Sequence, residues 1–440
     1  MFEFPRFIRN TPCPRLATET LAIGAAALAM GACNLAGAQT AGSAAPATFG
    51  AAIDAVASQP AMPAAAAPDY SGDLTGDWFG LRPNLQKKGF TFSGSLITDG
   101  SYDLSGGLAT RRSAYRSLLT FNISFDTKTL LGLPGGTVFA SYEGLWGQNG
   151  TATNGGSLQP YDVLDAAPFS ALYQLYYDQM FNQLLEVRVG RQDASDFFAE
   201  PPDAQTFINN SPTAFPTLIG SPFYPLAALG IVTALNPNGP LILKLGAYYF
   251  DRFHPSALDQ AFNTLEPTGQ PVGTFFIAEG DYNWRINGTL PGVVALGGTW
   301  RTGQLSTLGG SVQAGGGSVY SYVDQTLWTD PANQSLAAFA TLMAADRRVN
   351  AIDFASQGGF VFTGLMPDRP SDQLGLDYNW AHISSQANLP KPYELIFEGF
   401  YSFNFGHGVT LQPDLQYFVH DGGGTYPDAL VATIRLSLNF

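Results

Sequence analysis

The last eleven residues of the chain alternate apolar and polar side chains with a period of two. Every second residue from Leu430 to Phe440 is apolar, and the polar residues between them include Thr433, Arg435 and Ser437. Side chains of a β-strand point alternately to its two faces, so this pattern predicts a strand with one apolar and one polar face. An aromatic residue at the very end of such a strand favours an outer-membrane β-barrel over a soluble sandwich.

The same period recurs from Phe90 onward in segments separated by Gly, Asn, Asp and Pro. About fifteen segments can be counted, and because bacterial single-chain barrels favour even strand numbers, the sequence predicts about 16. The expected fold class is therefore all-β, a closed antiparallel outer-membrane barrel. The clearest segments are 115–126, 137–146, 185–189, 241–249, 279–285, 374–380, 394–405 and 409–417.

Three connections are longer than the others, at 147–168, 197–229 and 253–273. We expect them to be extracellular loops or to fold into the lumen. Tyr and Trp residues near several strand ends are expected to form interfacial girdles.

A short amphipathic helix is expected before the strands, within 71–89. Trp78, Leu81 and Leu85 recur at helical spacing, Pro83 lies near the first turn, and Gly89 supplies a stop. Residues 39–70 form an Ala- and Pro-rich stretch that predicts a flexible periplasmic lead-in. The β-barrel would then comprise 71–440, with its strands in 90–440.

Residues 1–38 have the features of a secretory signal peptide. A basic start is followed by an apolar stretch at 21–35 and a small-residue site at 36–38. The segment 30–33 is an alternative, weaker lipoprotein site that would lipidate Cys33. Since Cys13 and Cys33 are the two cysteines, ordinary cleavage leaves no thiol for a disulfide, for catalysis or for a metal.

Charge and hydropathy narrow the class of protein further. The formal net charge is −14, which argues against nucleic acid as a partner because phosphates need a basic patch. No stretch after the signal peptide reaches the 18 or so apolar residues of a spanning helix, which leaves a soluble secreted protein or a closed barrel. Only 13% of residues are charged, about half the usual share, which favours a surface that faces lipid.

The chain resembles the carbohydrate-selective porin (OprB) family. At the N-terminal side the similarity lies in the sequence LTGDWFGLR at 74–82 and in 85–90. At the C-terminal side it lies in 398–401, 411–417, 428–430 and 435–440, while 324–325 and 369–376 match more loosely. The chain departs from the family pattern at Phe79, where a second Gly is usual, and at 420–424, where a Pro-Gly pair is common.

This resemblance implies a sixteen-stranded outer-membrane channel of a Gram-negative bacterium. It also implies passive diffusion of mono- and small oligosaccharides, without ATP or a proton gradient. No cofactor or metal is implied, and the four histidines are too scattered for metal-ligand spacing.

A sugar channel needs lumenal polar groups that exchange hydrogen bonds with hydroxyls yet release the solute. Alternation places many charged residues inward, where they avoid a cost of about 2–4 kcal/mol in lipid. The alternative is that such charges pair across strands and only solvate the wall. The residues we predict at the constriction are Arg116, Glu143, Glu186, Arg188, Asp281 and Arg285.

Two other functions stay open at this point. A plugged structural or adhesive barrel would pass no solute. A barrel lipid hydrolase would need a Ser–His pair, for which His382 and Ser384 are the candidates. The expected partners are permeant sugars, outer-membrane lipid, and the barrel-assembly machinery, which would read the strand ending in Phe440; a homo-oligomer is compatible with the sequence.

Overall fold

A computed structural model describes residues 70–209, 217, 221–250, 273–331 and 334–440. The predicted signal peptide, the lead-in up to residue 69 and most of the 253–273 connection lie outside these residues. The described residues form sixteen strands: β1 Phe90–Ser105, β2 Ser113–Asp126, β3 Gly136–Gly147, β4 Phe169–Phe181, β5 Leu185–Gln192, β6 Ala228–Leu235, β7 Leu241–Phe250, β8 Gly273–Ile286, β9 Leu290–Ser306, β10 Val312–Thr329, β11 Ser335–Ala345, β12 Ile352–Thr363, β13 Gln373–Ile383, β14 Tyr393–Asn404, β15 Val409–Val419 and β16 Ala429–Asn439.

The strands form one closed antiparallel barrel in which each strand pairs with its neighbours in sequence. The ring closes where β1 pairs with β16, with Asp99 opposite Arg435. Closure leaves no strand edge with unpaired backbone groups, which a barrel in lipid requires. The predicted fold class and the sixteen strands are confirmed.

The alternation predicted from the sequence separates the two faces of the wall. In β16, Val431 and Thr433 are 1% exposed, whereas Ile434 is 58% exposed. In β14, Glu398 is buried and its neighbour Phe397 is exposed. The face that points towards lipid is therefore apolar, and the charged side chains of these strands face the lumen.

The two ends of the barrel differ in the length of their connections. Short turns such as 182–184 and 405–408 lie at the end that carries Phe90 and Asn439. The long connections after β3 and β5 begin at the opposite end. In outer-membrane barrels the short turns are periplasmic and the long loops extracellular.

The N-terminal helix is shorter than the sequence predicts. α1 spans only Leu81–Gln86, because Trp78, Phe79 and Gly80 have φ values of 53°, 58° and 82°, which a right-handed helix cannot accommodate. A second short helix, α2, spans Thr127–Leu131. Other short helical segments are Tyr70–Gly72, Thr151–Gly155, Ala194–Asp196, Pro202–Thr206 and the turn Asp421–Gly424. No helix in the described part of the chain is long and apolar enough to cross a membrane.

Arg82 fixes this N-terminal segment to the barrel wall. Its guanidinium donates to Asp73 Oδ2 at 2.7 Å and to the carbonyl oxygens of Gly76 and Phe92 at 2.9 and 2.8 Å. The Trp78 ring lies 6.1 Å from that of Phe92, an outward-facing residue of β1. These contacts describe an anchored cap at the short-turn end.

Candidate functional site in the barrel lumen

Two connections fold into the lumen. The first lumenal loop is residues 148–168, between β3 and β4. The second lumenal loop is residues 193–209, after β5. The sequence predicts that both are extracellular loops or fold into the lumen. Their contacts with inward side chains show that both fold into the lumen.

The first lumenal loop is held by charges on β1, β2 and β16. Arg116 Nε lies 2.8 Å from Asp165 Oδ1 and 3.1 Å from Asp162 Oδ2. Arg435 lies 2.7 Å from Asp99 and 3.4 Å from Asp162. Arg116 is 1% exposed. Its guanidinium therefore pairs with the loop and is not accessible to a solute in the lumen.

The opposite side of the same loop is held by Glu394. Its carboxylate accepts the backbone N–H groups of Leu158 at 3.0 Å, Gln159 at 2.9 Å and Gly422 at 2.8 Å. Gln416 donates to the carbonyl oxygen of Tyr161 at 2.9 Å. Backbone groups that leave the sheet ladder are thus satisfied by wall side chains.

Carboxylates on three strands hold the second lumenal loop. Glu279 Oε2 on β8 accepts from Ala199 N at 2.8 Å, and Asp324 Oδ2 on β10 accepts from Asp203 N at 2.8 Å. Glu398 on β14 accepts from Ile208 N and Asn209 N at 2.7 and 2.9 Å. Because these strands lie far apart around the ring, the loop crosses the lumen.

Apolar side chains of the second lumenal loop pack on apolar positions of the wall. Phe198 is fully buried in a cluster that includes Phe275 and Tyr320. The Phe207 ring lies 5.6 Å from that of Phe339 and 5.0 Å from that of Phe400. Inward apolar residues on β8, β10, β11 and β14 are therefore covered by the loop instead of facing water.

Three of the predicted constriction residues lie around one aromatic ring of this loop. Arg188 is stacked over Phe197 at 5.0 Å, and Lys244 lies 5.9 Å from the same ring. Glu186 lies 3.6 Å from Arg188, and Asp281 lies 2.7 Å from Lys244. The structure thus brings Glu186, Arg188 and Asp281 together, with Lys244 between the two sides.

Aromatic rings extend this group along β3 and β4. Phe139 and Tyr176 stack with centroids 4.8 Å apart and planes 23° apart. The guanidinium of Arg188 lies 4.4 Å from the Tyr176 ring, and its Nε donates to Asp178 at 3.0 Å. Stacked rings beside paired charges offer both an apolar face and directional hydrogen-bond partners.

Glu143 lies apart from this group, beside the start of the second lumenal loop. It is 7% exposed, and its Oε2 has no hydrogen-bond partner among the described residues. The nearby Asp193 accepts from Ser195 N at 2.8 Å and from the hydroxyl of Tyr173. Burial, together with the neighbouring Asp196, raises the pKa of Asp193 to about 7. This corner therefore gains negative charge as pH rises.

Arg285 is exposed near the end of β8, beside the short turn to β9. It does not share the ring of Phe197 with Arg188 and Lys244. Of the six predicted residues, three form one group: Glu186, Arg188 and Asp281. Arg116 is paired with the first lumenal loop, and Glu143 and Arg285 lie elsewhere.

The loop residues of the site were missed at the sequence level. Asp162, Asp165 and Phe197 lie in connections without periodicity. A signal was nevertheless present, because large apolar residues occupy inward positions such as Phe275, Tyr320 and Phe339, where an open lumen would call for polar groups.

His382 and Ser384 do not form the pair that a hydrolase would need. Ser384 Oγ donates to the carbonyl oxygen of Arg347 at 2.6 Å, while His382 Nδ1 lies 2.6 Å from Asp353. Ser384 follows the last residue of β13 and is buried, whereas His382 is partly exposed. Across the described ranges, no group of three or more His, Cys, Asp or Glu residues could hold a metal ion.

Comparison with known proteins gives a consistent result. The sequence model of the carbohydrate-selective porin, OprB family, matches residues 110–440. Porin B of Pseudomonas aeruginosa is 25% identical over 418 residues, which cover 83% of this chain and 91% of that protein. Putative porin QuiX of Acinetobacter baylyi is 22% identical over 425 residues, which cover 83% and 93%.

Solved structures support the fold. The high-pH structure of Pseudomonas putida OprB matches with a TM-score of 0.75 at 20% identity, covering 86% of this chain and all of that one. The low-pH structure of the same protein matches with a TM-score of 0.57 at 18% identity, covering 85% of this chain.

Proposed function

The chain belongs to the carbohydrate-selective porin, OprB family, and we propose that sugars cross it past one lumenal patch. It is an outer-membrane porin through which mono- and small oligosaccharides diffuse passively. Family and fold describe a channel rather than an enzyme. The sugar patch is Phe139, Tyr176, Asp178, Arg188, Lys244 and Asp281.

The observation that carries the proposal is the stacked pair of Phe139 and Tyr176 beside Arg188. A pyranose has apolar C–H faces and a rim of hydroxyls. The faces can pack on aromatic rings, and the hydroxyls can exchange hydrogen bonds with Arg188 and Asp178. Both rings are only partly buried, so they remain accessible from the lumen.

The charges of the patch are arranged in pairs. Arg188 is paired with Asp178 at 3.0 Å, and Lys244 with both Glu279 and Asp281 at 2.7 Å. Because these charges already neutralise one another, a sugar can bind to the wall without displacing an ion. Such binding is weak enough for the sugar to leave again, which conduction requires. The paired charges also keep each polar group in a fixed direction.

Planar-bilayer recordings of the purified protein test the proposal. Glucose is added in steps, and the fall in ion conductance gives the sugar concentration for half-block. Tyr176→Ala removes one aromatic face and should raise that concentration about threefold to tenfold, which corresponds to roughly 0.7–1.4 kcal/mol. Tyr177→Ala is the matched control, because Tyr177 is adjacent in β4 but faces outward.

Three results would contradict the proposal. A barrel that conducts nothing would favour the plugged structural alternative. Conductance without any sugar effect would refute carbohydrate binding in the lumen. An equal response of the Tyr176 and Tyr177 variants would remove the patch as the site.

We further propose that the barrel-assembly machinery reads Phe440. Phe440 N donates to Gly94 O at 2.9 Å, and Gly94 N donates to Phe440 O at 2.8 Å, so the terminal residue extends the closing strand pair. Its ring packs against Gly94, since a Cβ added at Gly94 would lie only 2.5 Å from the ring. Phe440→Ala should lower the amount of protein in the outer membrane; an unchanged amount would contradict this role.

A further inference from the structure

Inward carboxylates of the wall accept backbone N–H groups of the second lumenal loop, and Glu398 differs from the others. Each of its oxygens accepts one of two consecutive N–H groups, those of Ile208 and Asn209. Glu279 divides its carboxylate among Ala199 N, Lys244 and the Tyr320 hydroxyl, and Asp324 accepts from one loop N–H group.

Two hydrogen bonds that one carboxylate accepts fix both the position and the direction of the loop backbone. Hydrogen bonds of this kind strengthen where water is excluded. Glu398 is 3% exposed, so water competes little for its oxygens. Without it, the N–H groups of Ile208 and Asn209 would need other acceptors.

Other contacts hold Thr206 and Phe207, the two loop residues that precede Ile208. Gln412 on β15 donates to the carbonyl oxygen of Thr206 at 3.0 Å. The Phe207 ring packs between Phe339 and Phe400. Residues 206–209 are therefore attached to β11, β14 and β15, far around the ring from β5, where the loop begins.

We propose that Glu398 is a positioning residue that sets the size limit of the channel by holding residues 206–209 across the lumen. The inference rests on the proposed function, since a size limit for sugars presupposes that sugars pass. Each of its oxygens accepts a loop N–H group, so we assign Glu398 a positioning role and not that of a sugar ligand. Replacing one of these acceptor oxygens should release the loop and admit larger solutes.

The test uses the full-length protein in liposomes and compares the swelling rate in a trisaccharide with that in glucose. Glu398→Gln should raise this ratio by about threefold or more, because one of the two oxygens that accept loop N–H groups is replaced by an amide NH2 donor. Asp377→Asn is the matched control. Asp377 lies opposite Glu398 in the pairing of β13 with β14, has a similar burial, and its side chain hydrogen-bonds to Asn379.

Glu398→Gln with an unchanged ratio, in a barrel that keeps its folded gel mobility, would overturn the proposal. An equal rise in Asp377→Asn would also overturn it, because lumenal charge and not loop position would then set the limit. If Glu398→Gln fails to insert, Gln412→Ala releases the same loop from β15 and should raise the ratio in the same direction. No rise there would equally refute the proposal.

Failure of the proposed function gives a different pattern. If the wild-type protein passes no sugar, the sugar proposal fails, and the swelling ratio is undefined. Single-channel ion conductance still reports the loop, and it should be higher in Glu398→Gln than in the wild type and Asp377→Asn.

Discussion

The lumen has two unlike sides. The charged wall, formed by inward residues of β16, β1 and β2, carries Asp99, Arg116 and Arg435, and it binds the first lumenal loop through ion pairs. The apolar wall, formed by inward residues of β8, β10 and β11, carries Phe275, Tyr320 and Phe339. It binds the second lumenal loop by packing, with carboxylates only at the attachment points.

This difference shows what inward residues of a barrel report. A polar inward residue fits either an open lumen or a loop held by charge. A large apolar inward residue that is fully buried, such as Phe275, indicates that another part of the chain covers it, since leaving it in water would cost about 1.5–3 kcal/mol per side chain. In this chain the cover is the second lumenal loop.

The largest expected effect comes from breaking the charged wall. Arg435→Ala removes the partner of Asp99 and one of the two arginines beside Asp162, and both carboxylates are fully buried. An uncompensated buried charge costs about 3–5 kcal/mol. The free energy of unfolding, measured by urea unfolding in detergent, should fall by this amount. A fall below about 1 kcal/mol would mean that water already reaches these carboxylates.

A somewhat smaller and more local effect is expected on the apolar wall. Phe207→Ala removes a ring that is 3% exposed and should weaken docking of the loop by about 3 kcal/mol. Hydrogen–deuterium exchange of residues 203–209 should accelerate. Phe397→Ala is the control, because that ring is 49% exposed on the outer face. Equal acceleration in both variants would contradict the packing described here.

The attachment of the first lumenal loop should also depend on pH. Burial, together with the neighbouring Glu394, raises the pKa of Asp421 to about 8, and Glu394 holds the first lumenal loop. In the unfolded chain Asp421 ionises near its usual value, so the folded state binds the extra proton between about pH 4 and 8. Its contribution to stability is therefore lost as pH rises through this window.

Asp421→Asn removes this titration. From pH 6 to pH 8, the free energy of unfolding of the wild type should fall relative to the variant by roughly 1–2 kcal/mol. Urea unfolding at the two pH values measures the difference. A difference that is constant with pH would show that Asp421 is ionised throughout.

The smallest effect is expected outside both walls. Asp353 and His382 form a pair in which the His382 side chain is 42% exposed. Pairs of this kind contribute about 0–1 kcal/mol. Asp353→Asn should leave the unfolding midpoint nearly unchanged, and a loss as large as that of Arg435→Ala would mean that exposure is a poor guide to the energy of these pairs.

Much of the fold followed from the sequence because alternation is local and repeated. The faces of β14 and β16 could be assigned residue by residue, and the count of sixteen strands followed from about fifteen visible segments and the preference of bacterial single-chain barrels for even numbers. The N-terminal helix was predicted too long, since helical spacing of Trp78 and Leu81 does not reveal the left-handed backbone between them.

The candidate site was less predictable because its contacts are distant in sequence. Alternation could place Arg116, Arg188 and Asp281 inward, but it could not show that Arg116 is paired with Asp162 and Asp165. Those aspartates lie in a loop whose path depends on the completed barrel. The grouping of Glu186, Arg188 and Asp281 likewise depends on Phe197, which reaches them only after the second lumenal loop turns inward.

This barrel passes small sugars through a lumen that its own loops narrow. Liposome swelling with the wild-type protein tests it most directly, using a pentose, glucose, a disaccharide and a trisaccharide, with uncharged solutes of equal mass that lack hydroxyl rims. We expect rapid swelling in the pentose and glucose, a steep fall towards the trisaccharide, and slower swelling in the matched solutes. No swelling in any sugar, or rates that depend on mass alone, would contradict the claim.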